Sequence, residues 1–238
     1  MNRRNKVFTF HLVNDGNHPL VSLDGVRYFL DTGSPRTYRH PRGPARVSIL
    51  GHRMSLRSVP SAPGVMEAGS DLLNFHFDVL LGMDLMSELA WRLDWATSTA
   101  EAALCLAGET DTTWVGMPPS LRTPGSCPTC RVNHGLEVAL LDTGARLSYR
   151  VGDPPATARL VGRSLDFNPF LGLFVTPVWE DRLEVGGLLI PIRFGRVPEP
   201  APTLFEAMGA EWILGSDLLR AFRVTFDFPG RRLGLKPR

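Results

Sequence analysis

Phe29-Leu-Asp-Thr-Gly-Ser-Pro-Arg-Thr-Tyr38 and Leu140-Leu-Asp-Thr-Gly-Ala-Arg-Leu-Ser-Tyr149 say nearly the same thing twice. A single Asp-Thr-Gly is a weak signal, because Asp and Gly are ordinary turn residues and an Asx-type turn accounts for it. Two copies in matched surroundings point to an internal duplication. Adding 111 to the first copy places Asp31 on Asp142, Thr32 on Thr143, Gly33 on Gly144 and Tyr38 on Tyr149. A second pair lies downstream. DVLLGMDLM carries Gly82 and EWILGSDLL carries Gly215, an offset of 133 that persists from Asp84 to Asp217 and from Asp94 to Asp227. Two constant offsets separated by one change of length describe a repeat with an insertion of 133 − 111 = 22 residues between Tyr149 and Trp212.

The surroundings read as short strands. VFTFHLV runs to a turn at Asn14-Asp15-Gly16, and LVSLDGVRYFL turns at Asp24-Gly25. RVNHGLEVALL is the trimmed second copy, turning at Asn133-His134-Gly135. These patterns predict β-hairpins. After each apolar-apolar-Gly, the runs MDLMSELAW and SDLLRAFR predict a short helix, opened by a polar cap. A closing strand follows in each half, WRLDWATSTAEAALCLA and FRVTFDFPGRRLGLKP, the latter turning at Pro229-Gly230. The expected fold class is mainly β, with an N-terminal half over residues 1–107, a linker over 108–126 rich in Thr, Pro and Gly, and a C-terminal half over 127–238.

Bulk composition narrows the function classes. Hydrophobic residues make up 43% and charged residues 21% of the 238, which are globular values. The net charge of +2 sets up no strong field for nucleic acid or an anionic membrane. No apolar run reaches the length of a membrane span, and the basic N-terminus lacks the continuous core of a secretory signal. Three cysteines, Cys105, Cys127 and Cys130, are too few for a disulfide framework, so a reduced, cytoplasmic protein is expected. Cys127-Pro-Thr-Cys130 reads as free thiols or an incidental disulfide rather than zinc, which needs a fourth ligand. No metal or organic cofactor is expected.

Hydrophobic-Asp-Thr-Gly-Ser/Ala, followed 50 to 75 residues later by apolar-apolar-Gly, resembles the lobe of an aspartic protease. Two such lobes in one chain resemble the pepsin-like arrangement. The compact lobes and the Asp-Thr-Gly-Ala of the second copy resemble the retroviral kind. The resemblance covers roughly Val7 to Lys236. It implies two lobes about a pseudo-twofold axis, a monomer, a peptide or protein substrate in the cleft, and catalysis by Asp31 and Asp142. It also implies that Thr32 and Thr143 cross-link the motifs, with Gly33, Ser34, Gly144 and Ala145 supporting the loops. A catalytically inactive peptide-binding or assembly module on the same fold is the alternative.

The chemistry suits the residues. Two carboxyls a few ångströms apart resist double ionisation and share one proton, so one member accepts a proton from water while the other polarises a carbonyl. A Cβ at Gly33 or Gly144 would crowd that pair, and glycine lets the chain turn sharply beside each acid. Ser34 in the first copy against Ala145 in the second predicts that a hydroxyl favours the anion on Asp31, leaving the proton on Asp142. A flap is expected over the substrate. VSILGHRMSLRSV reads as one hairpin, and ARLVGRSLDFNPFLGLFVTPV as a longer one, with its tip at Asn168, Pro169 and Phe170; the longer one is the candidate flap, with ordinary sheet as the equal alternative. The Arg-rich stretch Pro35 to Arg46 reads as a solvated loop, and the five tryptophans as core.

Overall fold

The computed structural model describes residues 6–15, 18–49, 52–58, 64–74, 76–118, 127–168, 172–198 and 209–238. Its architecture is mainly β. In the first half, β1 (Phe8–Asp15), β2 (His18–Leu23) and β3 (Val26–Leu30) form a meander. The β2–β3 turn holds Asp24 at φ 51° and Gly25 at φ 77°, as a two-residue turn with both centres left-handed requires. β4 (Tyr38–Arg39), the hairpin β5 (Arg46–Ile49) and β6 (His52–Ser55), and β7 (Arg57–Ser58) follow. Helix α1 (Val65–Leu73) comes next, then β8 (Val79–Leu81), α2 (Met83–Met86), and a hairpin of β9 (Ala90–Asp94) and β10 (Thr99–Ala103).

The second half repeats the plan with a different length. After β11 (Thr113–Gly116) come β12 (Thr129–Val132), β13 (Glu137–Leu141) and β14 (Ser148–Arg150). Three long strands follow: β15 (Arg159–Asn168), β16 (Gly172–Val185) and β17 (Leu188–Arg196). β18 (Trp212–Leu214), α3 (Ser216–Leu219), β19 (Phe222–Asp227) and β20 (Arg232–Pro237) complete it.

The duplication is visible in the strand order. One sheet contains β2-β3-β8-β4-β7 and the other β12-β13-β18-β14-β17, with β16 and β15 added at its edge. In each, the strand before Asp-Thr-Gly runs parallel to the strand before the downstream Gly: Leu30 faces Leu81, and Leu141 faces Leu214. The two separations, 81 − 30 = 51 and 214 − 141 = 73, differ by the 22 inserted residues.

Several expectations are refined. The long closing segment 91–107 is a hairpin, β9 with β10, rather than one strand. The expected linker is not free of structure, because β11 pairs with β20. β19 pairs with β9, so the closing strands of both halves share the 11-stranded sheet. Arg223 fastens that seam, its side chain donating to Asp94 (2.7 Å) and Glu109 (2.8 Å). Helix α1 has no counterpart in the sequence reading. The short helices α2 and α3 begin at Gly82 and Gly215 with no side-chain cap; the Ser216 hydroxyl donates to the Thr143 carbonyl instead (2.7 Å).

The main core runs through both halves, from Phe10 and Leu12 to Leu233 and Leu235. Trp91 and Trp212 are buried in it, and their indole N–H groups donate to the Met86 carbonyl (3.1 Å) and to Glu137 (2.8 Å). Among the described residues, no helix is long and apolar enough to cross a membrane.

Candidate active site

The two Asp-Thr-Gly turns meet. Each leaves a buried strand and enters a tight loop, which is held from behind by the parallel strand ending in Gly82 or Gly215. Asp31 N–H donates to Leu81 O and Asp142 N–H to Leu214 O, both at 3.0 Å. A Cβ on Gly82 would collide with the Arg36 carbonyl, and one on Gly215 with the Leu147 carbonyl, so only glycine lets the supporting strand come this close.

The threonines join the loops reciprocally. Thr32 N–H donates to Thr143 Oγ1 (3.0 Å) and Thr143 N–H to Thr32 Oγ1 (2.9 Å). The hydroxyls pass their protons across the seam, Thr32 to Leu141 O (2.7 Å) and Thr143 to Leu30 O (2.6 Å). Both side chains are fully buried, so these four bonds exclude water from the base of the site.

This lattice brings the acids together. A Cβ on Gly33 would run into the Asp142 carboxyl, and one on Gly144 into the Asp31 carboxyl. Each glycine is thus the space that admits the other half's acid. Neither lies in the left-handed region, so the expected sharp turn is not the reason for glycine here. Both acids are half-buried and keep part of their surface open to solvent.

Burial drives the electrostatics. The Asp31 carboxyl is held well above the usual carboxylate range, first by burial and then by the charge of Asp142. Burial also raises Asp142, opposed by N–H groups of its own loop. Two bonds reach its Oδ1, from Gly144 N–H (2.8 Å) and Ala145 N–H (3.0 Å). Asp31 Oδ1 accepts the Gly33 N–H (2.9 Å), and the Ser34 N–H acts on the Asp31 carboxyl more weakly than the Gly33 N–H does. The better-solvated anion is therefore Asp142, and the shared proton belongs on Asp31, since bonds to the charged form favour it. The sequence-based assignment was the reverse. It counted the Ser34 hydroxyl, which donates to the Arg36 carbonyl (2.8 Å) and so has no proton for Asp31. Ser34→Ala is accordingly expected to leave the titration of the pair within about 0.3 pH unit, twofold in proton affinity, as read by NMR of carboxyl-labelled protein.

Two hydroxyls that sequence reasoning passed over brace the loops. Thr37 Oγ1 and Ser148 Oγ accept the N–H groups of Gly82 (3.1 Å) and Gly215 (3.0 Å). They stand six residues after each Asp, and 148 − 37 = 111 repeats the motif offset, the signal that would have found them. Cys127 was also unassigned. Its thiol, pushed up to about 12 mainly by burial, donates to the Gly33 carbonyl at 3.0 Å. All three cysteines are free, and no metal-binding cluster occurs among the described residues.

The long hairpin β15–β16 is present, paired from Arg159 with Glu180 to Asn168 with Gly172. Pro169 and Phe170 of the expected tip lie outside the described residues. The hairpin reaches from the second half to the first. Phe167 packs against the first-half cluster of Leu20, Phe29, Met66, Phe77 and Leu80. Gly69 of α1 makes room for it, since a Cβ there would lie 2.5 Å from the Phe167 ring. Gly69→Ala should favour the helix itself by up to ~1 kcal/mol, yet displace the Phe167 ring. Amide exchange is expected to speed several-fold over Ser164–Asn168 and Leu173–Thr176 and to stay unchanged in β13 and β18. Unaltered hairpin exchange would show that Phe167 does not hold it.

No family model matches the chain, and no curated protein matches it.

Proposed function

We propose that this chain is an aspartic endopeptidase of two lobes related by a pseudo-twofold axis, each lobe supplying one carboxyl of a water-activating pair. One observation carries the reading. Asp31 and Asp142, 111 residues apart, sit so close that each occupies the space left by the other loop's missing Cβ. Their loops are locked by the reciprocal threonine bonds. Such a pair, both members raised in proton affinity by burial and Asp31 further by the charge of Asp142, holds one proton across a broad pH range.

The mechanism follows from that proton. A water between the carboxyls loses its proton to the Asp142 carboxylate as it attacks the carbonyl carbon of a peptide bond. Protonated Asp31 donates a hydrogen bond to the carbonyl oxygen and stabilises the charge that develops there. Collapse of the tetrahedral intermediate returns a proton to the leaving nitrogen. No covalent enzyme intermediate, metal or organic cofactor takes part. The substrate is a peptide or protein lying between the lobes, and the monomer suffices because both carboxyls are in one chain. The β15–β16 hairpin of the second half is the flap, with Phe167 as its contact to the first half.

Digestion of a mixed peptide library across pH 3–8, in water enriched in heavy oxygen, tests the proposal. Expected are new C-termini carrying one solvent oxygen, products that vanish when a statine-type mimic of the tetrahedral state is added. A library left intact while the mimic still binds would favour the peptide-binding module instead.

A further inference from the structure

We propose that Asp166 is a positioning residue of the site: a buried carboxyl, carried by strand β15, whose negative charge raises the affinity of the Asp31/Asp142 pair for its shared proton. The inference rests on the dyad reading above.

The geometry begins with alternation along β15. Leu165 is exposed and Phe167 turns to the first half, so Asp166 between them points the opposite way. It is only 4% exposed, an unusual place for a carboxyl. Its partners are its neighbour's backbone, Phe167 N–H at 2.8 Å, and the phenol of Tyr149, which donates to Oδ2. Tyr149 is the last residue of the second Asp-Thr-Gly motif. Phe174, opposite Asp166 in the hairpin, packs its ring 6.2 Å from that of Tyr149 and closes the pocket.

A second tie runs alongside. Arg146, four residues after Asp142, donates to Ser164 Oγ (2.8 Å) and Leu165 O (2.6 Å). The segment Ser164–Asp166 is therefore bonded to the loop that holds Asp142, while the next residue, Phe167, is docked on the half that holds Asp31. A structural strand needs no carboxylate at this point; an amide or a hydroxyl would accept the Tyr149 proton without burying a charge.

The charged groups around Asp166 come from every neighbouring element. The Asp-Thr-Gly-Ala loop contributes Asp142 and Arg146, β14 contributes Tyr149, and α3 contributes Asp217. Asp217 is paired with Arg220 at 3.6 Å. Asp166 is counted among the charges that push Asp142 upward, and it also pushes Tyr149 and Asp217 upward. The Asp166 charge, fixed beside the Asp142 loop by these bonds, therefore makes the pair bind its proton more tightly.

The test reads the pair's titration without substrate. The difference in stability between the chain and its Asp31→Asn variant changes with pH as the pair titrates, and its midpoint marks the upper pKa of the pair. Asp166→Asn, which keeps an oxygen for Tyr149, is expected to move that midpoint to lower pH by about 0.3 unit or more, a twofold loss of proton affinity. The alkaline limb of peptide hydrolysis should move the same way. A midpoint unmoved or raised would overturn the inference. Should Asp166→Asn not fold, Asp166→Ser decides by the same criterion, since its hydroxyl also accepts the Tyr149 proton and carries no charge. A stability difference independent of pH already in the parent chain would overturn the shared proton itself, an outcome distinct from an unmoved midpoint.

Discussion

Asp31→Asn is expected to lose peptide hydrolysis by about 10²–10⁴-fold or more, the usual weight of a positioned acid or base, and at the same time to make the fold more stable at neutral pH. The two effects share one cause. The Asp31 carboxyl is raised well above its unfolded value by burial and by the charge of Asp142. The folded state therefore keeps a proton that the unfolded chain releases, and in that window stability falls as pH rises. Its contribution is complete below the unfolded pKa of about 4 and is lost as pH climbs through the folded value. Asn carries no such penalty. The variant and the parent chain should melt alike near pH 3, and the variant should melt higher at pH 7. For a chain of this size, each kcal/mol gained raises Tm by about 2–4 °C. Loss of activity with a lower Tm at pH 7 would mean a damaged fold rather than a removed repulsion. Retained hydrolysis would remove the catalytic reading.

The second large effect is expected at the seam. Thr143→Val keeps the shape of the side chain and deletes one oxygen. That oxygen accepts the Thr32 N–H and donates to the Leu30 carbonyl, so two buried backbone groups lose their partner at once. Each such loss costs about 1–3 kcal/mol. The variant should therefore fall by about 2–6 kcal/mol, against a total stability of about 5–15 kcal/mol for a domain. Thr143→Ser, which keeps the hydroxyl, should recover most of it. Chemical unfolding of the three proteins side by side measures the difference. A loss below about 1 kcal/mol in Thr143→Val would mean that water replaces the hydroxyl and that the loops are less tightly sealed than their bonds indicate. Thr32→Val is the mirror experiment, since Thr32 Oγ1 accepts from Thr143 N–H and donates to Leu141 O.

Much of the fold is legible in the chain because it was written twice. Repetition turns weak local signals into a pattern: the apolar run and the Asp-Thr-Gly reappear at an offset of 111 and the distant Gly at 133, and both copies build the same strand order. Helix α1 was missed because its residues, 65–73, lie between the two motifs, where neither constant offset holds. The capping expectation at Ser216 failed for a related reason. A serine before a helical run suits a cap, but here the chain returns so close to the Asp142 loop that its hydroxyl finds the Thr143 carbonyl.

Sequence alone determined which residues form the candidate pair, the strands that carry them and the length change between the halves, since these depend on residue type and spacing along one chain. Tertiary structure alone decided which carboxyl is raised the further, because that depends on which N–H groups point at which oxygen and on a serine hydroxyl that turned away. It also placed Phe167 and Asp166. Adjacent residues on a strand face opposite ways, and what each then meets, Gly69 on one side and Tyr149 on the other, lies 98 and 17 residues away in sequence (167 − 69 and 166 − 149). Charge, burial and bond direction act through space, and the distances that set them do not exist until the two halves have closed on each other.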